Sequence, residues 1–205
     1  MSELLIVKNH KFLIVCFGGI ALKMGGIPPF EFLHYLSSVY GNECDLIFYV
    51  DKYQCCYHKG IESISTNIDE TVVYLNSKIA QNNYDKIIFM GTSAGGYAAI
   101  LFASLCNNVN NVVSFIPKTI LNKPVDKKYT NLYNFINSNT KYILFGDVNI
   151  TNVNDNHHIS QCENVKDFQN VQIIKINGVD LKKLRDTGVI KNTIDNIIYI
   201  KEVSS

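Results

Sequence analysis

The chain has 205 residues, a net charge of +1 and a hydrophobic content of 47%. This length and composition suit one globular domain spanning residues 1–205, and they exclude a disordered or low-complexity chain. The lysines are spread along the sequence without a basic block. We therefore expect neither nucleic acid nor an anionic membrane surface as a partner.

The six cysteines indicate a reducing compartment. None forms a C-x-x-C pair, and several lie inside apolar runs, where a free thiol behaves as a small hydrophobic group. The N-terminus lacks a signal-peptide pattern, and the longest apolar runs have the length of strands rather than of membrane spans. We expect a cytoplasmic protein with unpaired thiols. Its oligomeric state, and whether this domain belongs to a larger protein, stay open.

Short β-branched runs alternate with helical stretches along the chain. The first two runs, Leu4 to Val7 and Lys11 to Phe17, flank Asn9-His10, which predicts a hairpin. The other predicted strands are Asp45 to Asp51, Lys86 to Met90, Val112 to Ile116, Tyr142 to Gly146 and Val171 to Ile176. Helices are predicted over FEFLHYLSSVY after Pro28-Pro29, from Ile68 to Ile79, over YAAILFASL and YTNLYNFI, and around Leu181 to Asp186 and Ile190 to Ile200.

This alternation favours a doubly wound α/β fold, with a mainly parallel sheet and helices on both faces. The hairpin would supply an antiparallel edge. Segment 117–140 is too short to hold both a helix and a large lid, so we expect a minimal cap or none.

The segment Gly91-Thr92-Ser93-Ala94-Gly95 matches G-x-S-x-G, with a predicted strand directly before it and a helix directly after it. A sharp strand-to-helix turn would strain Ser93 and project its hydroxyl above the sheet. The helix N-terminus would offer free N–H groups to an oxyanion, beginning with Ala94. The pattern predicts Ser93 as a nucleophile. The competing interpretation is a glycine-rich turn that only packs a helix on the sheet.

A second oxyanion donor is expected after an earlier strand. Gly18 and Gly19 follow Phe17, and glycine lets the backbone approach a substrate closely. Either N–H could serve. The alternative is a glycine-rich strand end with no role in binding.

Three features in this order, the strand ending in FGG, the GTSAGGY turn and the strand YILFG, resemble the α/β-hydrolase superfamily. The resemblance spans nearly the whole chain and implies a serine esterase or acyltransferase that forms an acyl-Ser93 intermediate without a cofactor or metal. The chain is also similar to a group of small hydrolase-like proteins with a G-x-S-A-G-G-Y turn and a downstream Asp-x-x-His. That group is associated with glycan-modifying genes, which implies a small or carbohydrate-linked ester as substrate.

The superfamily pattern requires an acid and a histidine beside the serine. Asp155 is the leading acid, and Asp147 at the strand end is the alternate. No histidine follows the last predicted strand, which departs from the pattern. The segment Asp155-Asn156-His157-His158 could supply acid and base from one loop, as the Asp-x-x-His of SGNH-type hydrolases does. His158 is then the leading base and His157 the alternate.

A further candidate base is His58, which follows a predicted strand at the edge where ligands bind in such sheets. Tyr53, Tyr57 and Tyr97 could stack on a sugar ring, or could instead cover a sheet edge. Because no histidine follows the last strand, a second function is also open. In it the chain is an inactive hydrolase-fold protein that binds a ligand or a protein partner.

Overall fold

The computed structural model describes residues 1–20 and 30–199. A seven-stranded sheet runs through this part of the chain, with the strand order β1-β3-β2-β4-β5-β6-β7. The strands are β1 (Glu3–Ile6), β2 (Phe12–Phe17), β3 (Cys44–Tyr49), β4 (Lys86–Thr92), β5 (Asn111–Phe115), β6 (Lys141–Asp147) and β7 (Val171–Ile176). Strands β2 to β7 are parallel, and β1 is antiparallel to its neighbour β3. The predicted α/β class with a mainly parallel sheet is confirmed.

Helices cover both faces of the sheet. They are α1 (Leu33–Tyr40), α2 (Ile68–Ile79), α3 (Ala94–Leu105), α4 (Ser160–Glu163), α5 (Leu181–Asp186) and α6 (Val189–Tyr199). Helices α2 and α3 pack on one face, and α1, α5 and α6 pack on the other. The central strands are buried on both sides, which is why they read as unbroken apolar runs.

The predicted hairpin between the first two strands is wrong. Strand β1 pairs with β3, with Glu3 opposite Tyr49, and β3 therefore lies between β1 and β2. The connection is fixed by a long-range contact, because Asp45 Oδ1 accepts hydrogen bonds from the N–H groups of Lys8 at 2.8 Å and His10 at 3.1 Å. The antiparallel edge strand exists, but its partner is β3 and not β2, the next strand in the chain.

The helix predicted over YTNLYNFI is replaced by two 3₁₀ turns, Lys127–Tyr129 and Leu132–Asn134. Polar side chains compete with the helical pattern here, since the Asn131 side chain accepts the N–H of Tyr133 at 3.0 Å. The Leu132 N–H bonds across the loop to Thr119 O at 2.9 Å. The connection from β5 to β6 therefore contains no α-helix, and it is a loop folded against the end of the sheet.

The predicted helices around 68–79, 181–186 and 190–200 correspond to α2, α5 and α6. Helix α1 begins at Leu33, and the Pro28-Pro29 pair before it lies outside the described residues. All six cysteines are described, and all are unpaired. Across residues 1–20 and 30–199, each helix falls short of the length and apolar character needed to cross a bilayer.

Candidate active site

Ser93 lies at the junction of β4 and α3, near the middle of the sheet. Its backbone is strained, with φ 55° and ψ −115°, a conformation that a residue with a side chain seldom adopts. Two hydrogen bonds hold it there. Its N–H donates to Phe115 O at 3.0 Å, and its carbonyl oxygen accepts from the Tyr97 N–H at 2.9 Å.

The flanking glycines permit this turn because the neighbouring backbone is so close. A Cβ on Gly95 would lie 2.0 Å from Phe17 O, and a Cβ on Gly91 would lie 2.4 Å from the carbonyl carbon of Gly95. Both contacts involve backbone atoms that cannot move aside without disturbing β2 or α3. The spacing of glycines around Ser93 is therefore a steric requirement of the turn.

The loop after β6 brings a histidine to this serine. His157 Nε2 lies 2.7 Å from Ser93 Oγ, and both side chains are partly buried. The base that we expected first, His158, lies elsewhere, with its Nδ1 2.9 Å from Ser160 Oγ and 3.2 Å from Ser160 N. The alternate candidate, His157, occupies the position beside the serine.

The local backbone places the two histidine side chains in different surroundings. His158 forms a parallel bridge with Asp147 at the end of β6. His157 lies in the turn just before this bridge, which is closed by a hydrogen bond from the His158 N–H to Asp155 O at 3.1 Å. The Asp-x-x-His spacing is present, but the residue one position earlier reaches the serine.

Asp155 lies behind His157. Its Oδ1 accepts the His157 N–H at 2.8 Å and is 3.7 Å from His157 Nδ1, which is beyond hydrogen-bond distance. The carboxylate thus fixes the turn that carries the histidine and also contributes a negative charge next to the ring. Burial and the Lys118 ammonium lower the pKa of His157, while Asp155 opposes them.

The alternate acid, Asp147, is occupied by backbone groups. Oδ1 accepts N–H bonds from Asn149 at 2.8 Å and Gly178 at 3.0 Å, and Oδ2 accepts one from Val179 at 2.8 Å. Burial opposes its ionisation, but these three donors outweigh burial and lower the pKa of Asp147. Asp147 therefore joins the loops after β6 and β7, and none of these contacts is to a histidine.

The three predicted oxyanion donors differ in whether their N–H groups already have an acceptor. Ala94 is the first residue of α3, so its N–H has no acceptor within the helix. Gly18 is engaged on both sides, since its N–H donates to Tyr49 O at 2.9 Å and its carbonyl accepts from Tyr57 Oη at 3.1 Å. The Gly19 N–H is not used in the hydrogen bonding of the sheet, but it lies against the Glu31 carboxyl group.

Two of the three expected sugar-stacking tyrosines are core residues. Tyr57 and Tyr97 have no exposed surface, which is incompatible with stacking on a ligand, whereas Tyr53 is 45% exposed. His58 is buried with them. Its Nδ1 accepts the Asp126 N–H at 3.0 Å, so its Nε2 carries the proton and donates to Tyr97 Oη at 2.9 Å. The structure thus places His58 in a structural network and not on Ser93.

Two charged residues near Ser93 were not anticipated. Glu31 precedes α1, and its Oε2 is buried with no hydrogen-bond partner among the described residues. Burial raises the pKa of Glu31 to about 7, against the opposing effects of the Thr92 hydroxyl and the Gly19 N–H. Lys118 follows β5, and its N–H donates to Ser93 O at 3.4 Å. Neither belongs to a recognisable sequence pattern, because only the fold brings them to the serine.

In the described part of the chain, no three His, Cys, Asp or Glu side chains converge in a way that could hold a metal ion. The chemistry available at this site is that of a hydroxyl paired with an imidazole, next to a carboxylate and a free helix N–H.

No protein-family model and no curated protein matches the sequence. Solved structures do match in fold. An esterase from Thermogutta terrifontis is 15% identical with a TM-score of 0.62, and the match covers 96% of this chain and 85% of that one. The capsule O-acetyltransferase of Neisseria meningitidis serogroup A is 16% identical with a TM-score of 0.61, covering 94% and 89%.

A third match is FphF, a fluorophosphonate-binding serine hydrolase of Staphylococcus aureus, at 14% identity and a TM-score of 0.64, covering 95% of this chain and 86% of that one. The strand order, the helices on both faces of the sheet and these three structural similarities all indicate the same fold. The chain has an α/β-hydrolase-like fold, which it shares with this esterase, this O-acetyltransferase and this serine hydrolase.

Proposed function

We propose that the chain is a serine hydrolase, an esterase or an acyltransferase, that acts through an acyl-Ser93 intermediate. The observation that carries this proposal is the 2.7 Å distance between Ser93 Oγ and His157 Nε2 at a strained strand-to-helix turn. A hydroxyl becomes a useful nucleophile when a positioned imidazole can accept its proton. His157 fills that role from the loop after β6.

The first half of the reaction forms the acyl-enzyme. Ser93 Oγ attacks the ester carbonyl carbon while its proton passes to His157 Nε2. The carbonyl oxygen gains the negative charge, which the Ala94 N–H stabilises. The Gly19 N–H adds a second hydrogen bond when it turns from the Glu31 carboxyl group to the oxyanion. The tetrahedral intermediate then collapses. The bond to the alcohol oxygen breaks, and that oxygen takes the proton from His157 as it leaves.

The second half repeats the sequence with another hydroxyl. Water or an acceptor alcohol gives its proton to His157 and attacks the acyl group on Ser93. Ser93 Oγ leaves and regains a proton from His157. Asp155 stabilises the imidazolium in both halves because its carboxylate lies 3.7 Å from Nδ1. The same residues thus serve hydrolysis and transfer, and the acceptor decides which occurs.

The comparisons support short acyl groups more directly than sugars. The Thermogutta esterase has been solved with propionate and with butyrate bound, and also phosphorylated by paraoxon. A carbohydrate-linked ester remains part of the proposal because one structural neighbour is a capsule O-acetyltransferase. Of the three tyrosines, Tyr53 is the one that could stack on a sugar ring, since Tyr57 and Tyr97 are buried.

Labelling with a fluorophosphonate probe tests the proposal. We expect covalent labelling of the wild type, none for Ser93→Ala, and much slower labelling for His157→Ala. Intact-mass and peptide analysis should place the adduct on Ser93. An unlabelled wild type, or equal labelling of Ser93→Ala, would contradict the proposal.

The alternative of an inactive binding protein arose because no histidine follows the last strand. His157 removes that motive by reaching Ser93 from an earlier loop. A failed labelling experiment, together with a para-nitrophenyl acetate rate that does not change in Ser93→Ala, would restore it.

A further inference from the structure

Among the described residues Lys118 has no counter-ion, and its backbone lies beside the candidate active site. It follows β5 by three residues, is half-buried, and is joined to the nucleophile's backbone by its N–H bond to Ser93 O. Its ammonium makes no hydrogen bond or ion pair with another residue in the ranges 1–20 and 30–199. A partly buried lysine can keep its ammonium in water, so an ammonium without an acidic partner stays available to an anion.

The ammonium lies close enough to act on two titratable groups, His157 beside the serine and Cys56. It lowers the pKa of His157, after burial, and it lowers the pKa of the Cys56 thiol against the larger effect of burial. At His157 its effect exceeds the opposite effect of Asp155, although Asp155 Oδ1 is 3.7 Å from Nδ1. Lys118 and Asp155 therefore act on the pKa of His157 in opposite directions.

Asp51 and Asp155 are already engaged, and burial raises the pKa of Glu31 to about 7, so that only part of Glu31 is charged near neutral pH. Asp51 Oδ1 accepts from Tyr53 N, and its Oδ2 accepts from Cys55 N and Tyr57 N. Asp155 holds the His157 N–H. The protein thus leaves Lys118 unpaired where His157 must become positively charged during the reaction, and two adjacent cations repel each other. A negative charge on the substrate would remove that repulsion.

We infer that Lys118 binds an anionic group, a carboxylate or a phosphate, of the ester substrate beside the Ser93–His157 pair. This inference rests on the proposed function and narrows its substrate class. The anion satisfies the ammonium in the bound complex and also compensates the imidazolium that forms as Ser93 attacks. The benefit is therefore greatest in the transition state, and it appears in kcat as well as in KM.

The experiment compares matched esters on matched variants. The probes are para-acetoxybenzoate, its neutral methyl ester, and para-acetoxyphenyl phosphate, which separates a carboxylate from a phosphate preference. The proteins are the wild type, Lys118→Met, Lys118→Arg, and Lys123→Met as a control that removes an exposed lysine from the same loop. Intrinsic differences in ester reactivity cancel when each preference is compared between proteins.

We expect kcat/KM of the wild type to favour one of the anionic esters over the neutral one by about ten- to hundredfold more than Lys118→Met does, the range of one charge-assisted contact. Lys118→Arg should retain the preference, Lys123→Met should match the wild type, and added salt should weaken the preference. In Lys118→Met the acid limb of the pH profile should move to higher pH, because the cation that lowers the pKa of His157 is gone.

A wild type that hydrolyses neutral and anionic esters with the same preference as Lys118→Met would overturn the inference. Fluorophosphonate labelling of Ser93 separates this result from failure of the proposed function. Labelling with no charge preference rejects the anion site alone, whereas absence of labelling rejects the nucleophile. A preference lost equally in Lys123→Met would show a general surface-charge effect and would also reject the site.

Discussion

The Nε2 atom of His157 lies 2.7 Å from Ser93 Oγ, although 64 residues separate the two in the chain. The neighbouring His158 instead contacts Ser160. This pair of histidines gives a controlled comparison, because the two residues are adjacent and chemically identical and differ in which way they face.

Replacing each histidine in turn should separate them. We expect His157→Ala to lower kcat/KM for para-nitrophenyl acetate by about 10²–10⁴-fold, the usual contribution of a positioned general base. His158→Ala should stay within a few-fold of the wild type, since its ring lies at the loop surface. A larger loss in His158→Ala than in His157→Ala would show that the loop turns the other way during catalysis.

The pH dependence of kcat/KM should follow the ionisation of His157. The base must be neutral to accept the serine proton, and burial and Lys118 lower its pKa below the ordinary value of 6.5. kcat/KM should therefore rise with pH and reach half of its plateau below pH 6.5. Initial rates between pH 4.5 and pH 8, corrected for spontaneous hydrolysis, measure this. A midpoint above 6.5 would mean that the acidic partner dominates instead.

Of the two candidate acids, Asp155 should matter for activity and Asp147 for stability. Asp155→Asn should lower kcat/KM by at least about tenfold. It should also shift the acid limb of the pH profile to lower pH, since Asp155 raises the pKa of His157. Asp147→Asn should instead cost about 1–3 kcal/mol of stability, because it weakens the charge-assisted bonds to three backbone N–H groups. Urea unfolding and ester kinetics on both variants distinguish these roles. The assignment reverses if Asp147→Asn loses activity at unchanged stability.

Adding a methyl group to a glycine at the turn should destabilise the fold where the neighbouring backbone leaves no room for it. Gly95→Ala should destabilise the fold by about 3 kcal/mol or more, because its Cβ would meet Phe17 O at 2.0 Å. Gly19→Ala is the matched control, since its Cβ would meet Thr92 O at an ordinary 3.5 Å, and its cost should stay within about 1 kcal/mol. Thermal unfolding compares them. If Gly95→Ala does not fold, soluble yield at low temperature gives the same ranking.

Glu31 should make stability depend on pH. Its pKa rises from 4.5 to about 7 on folding, so the folded state holds a proton that the unfolded chain releases. Stability should therefore fall as pH rises from about 4.5 to about 7, and stay low above that. Glu31→Gln should raise the free energy of unfolding at pH 8 by up to about 3 kcal/mol, with little effect at pH 4. An equal effect at both pH values would contradict this account.

Some features of this protein follow from local sequence. Continuous apolar runs specify strands buried on both faces, and apolar spacing specifies α2 and α6. The turn at Ser93 is also local, because a strand, closely spaced glycines and a helix leave few other conformations for the residues between them. That is why the fold class and the position of Ser93 could be predicted without the structure.

Only the tertiary structure decided which side chains meet. The partner of β1 depends on the Asp45 contacts to Lys8 and His10, which bridge distant parts of the chain. The burial of Tyr57 and Tyr97 depends on packing against the sheet. That His157 and not His158 reaches Ser93 depends on the turn at Asp155 and on the bridge between His158 and Asp147 that follows it. The sequence by itself determined the position of Ser93 at the turn. The long-range placement of the backbone determined that His157 and Lys118 lie beside it, because neither proximity is encoded in local spacing.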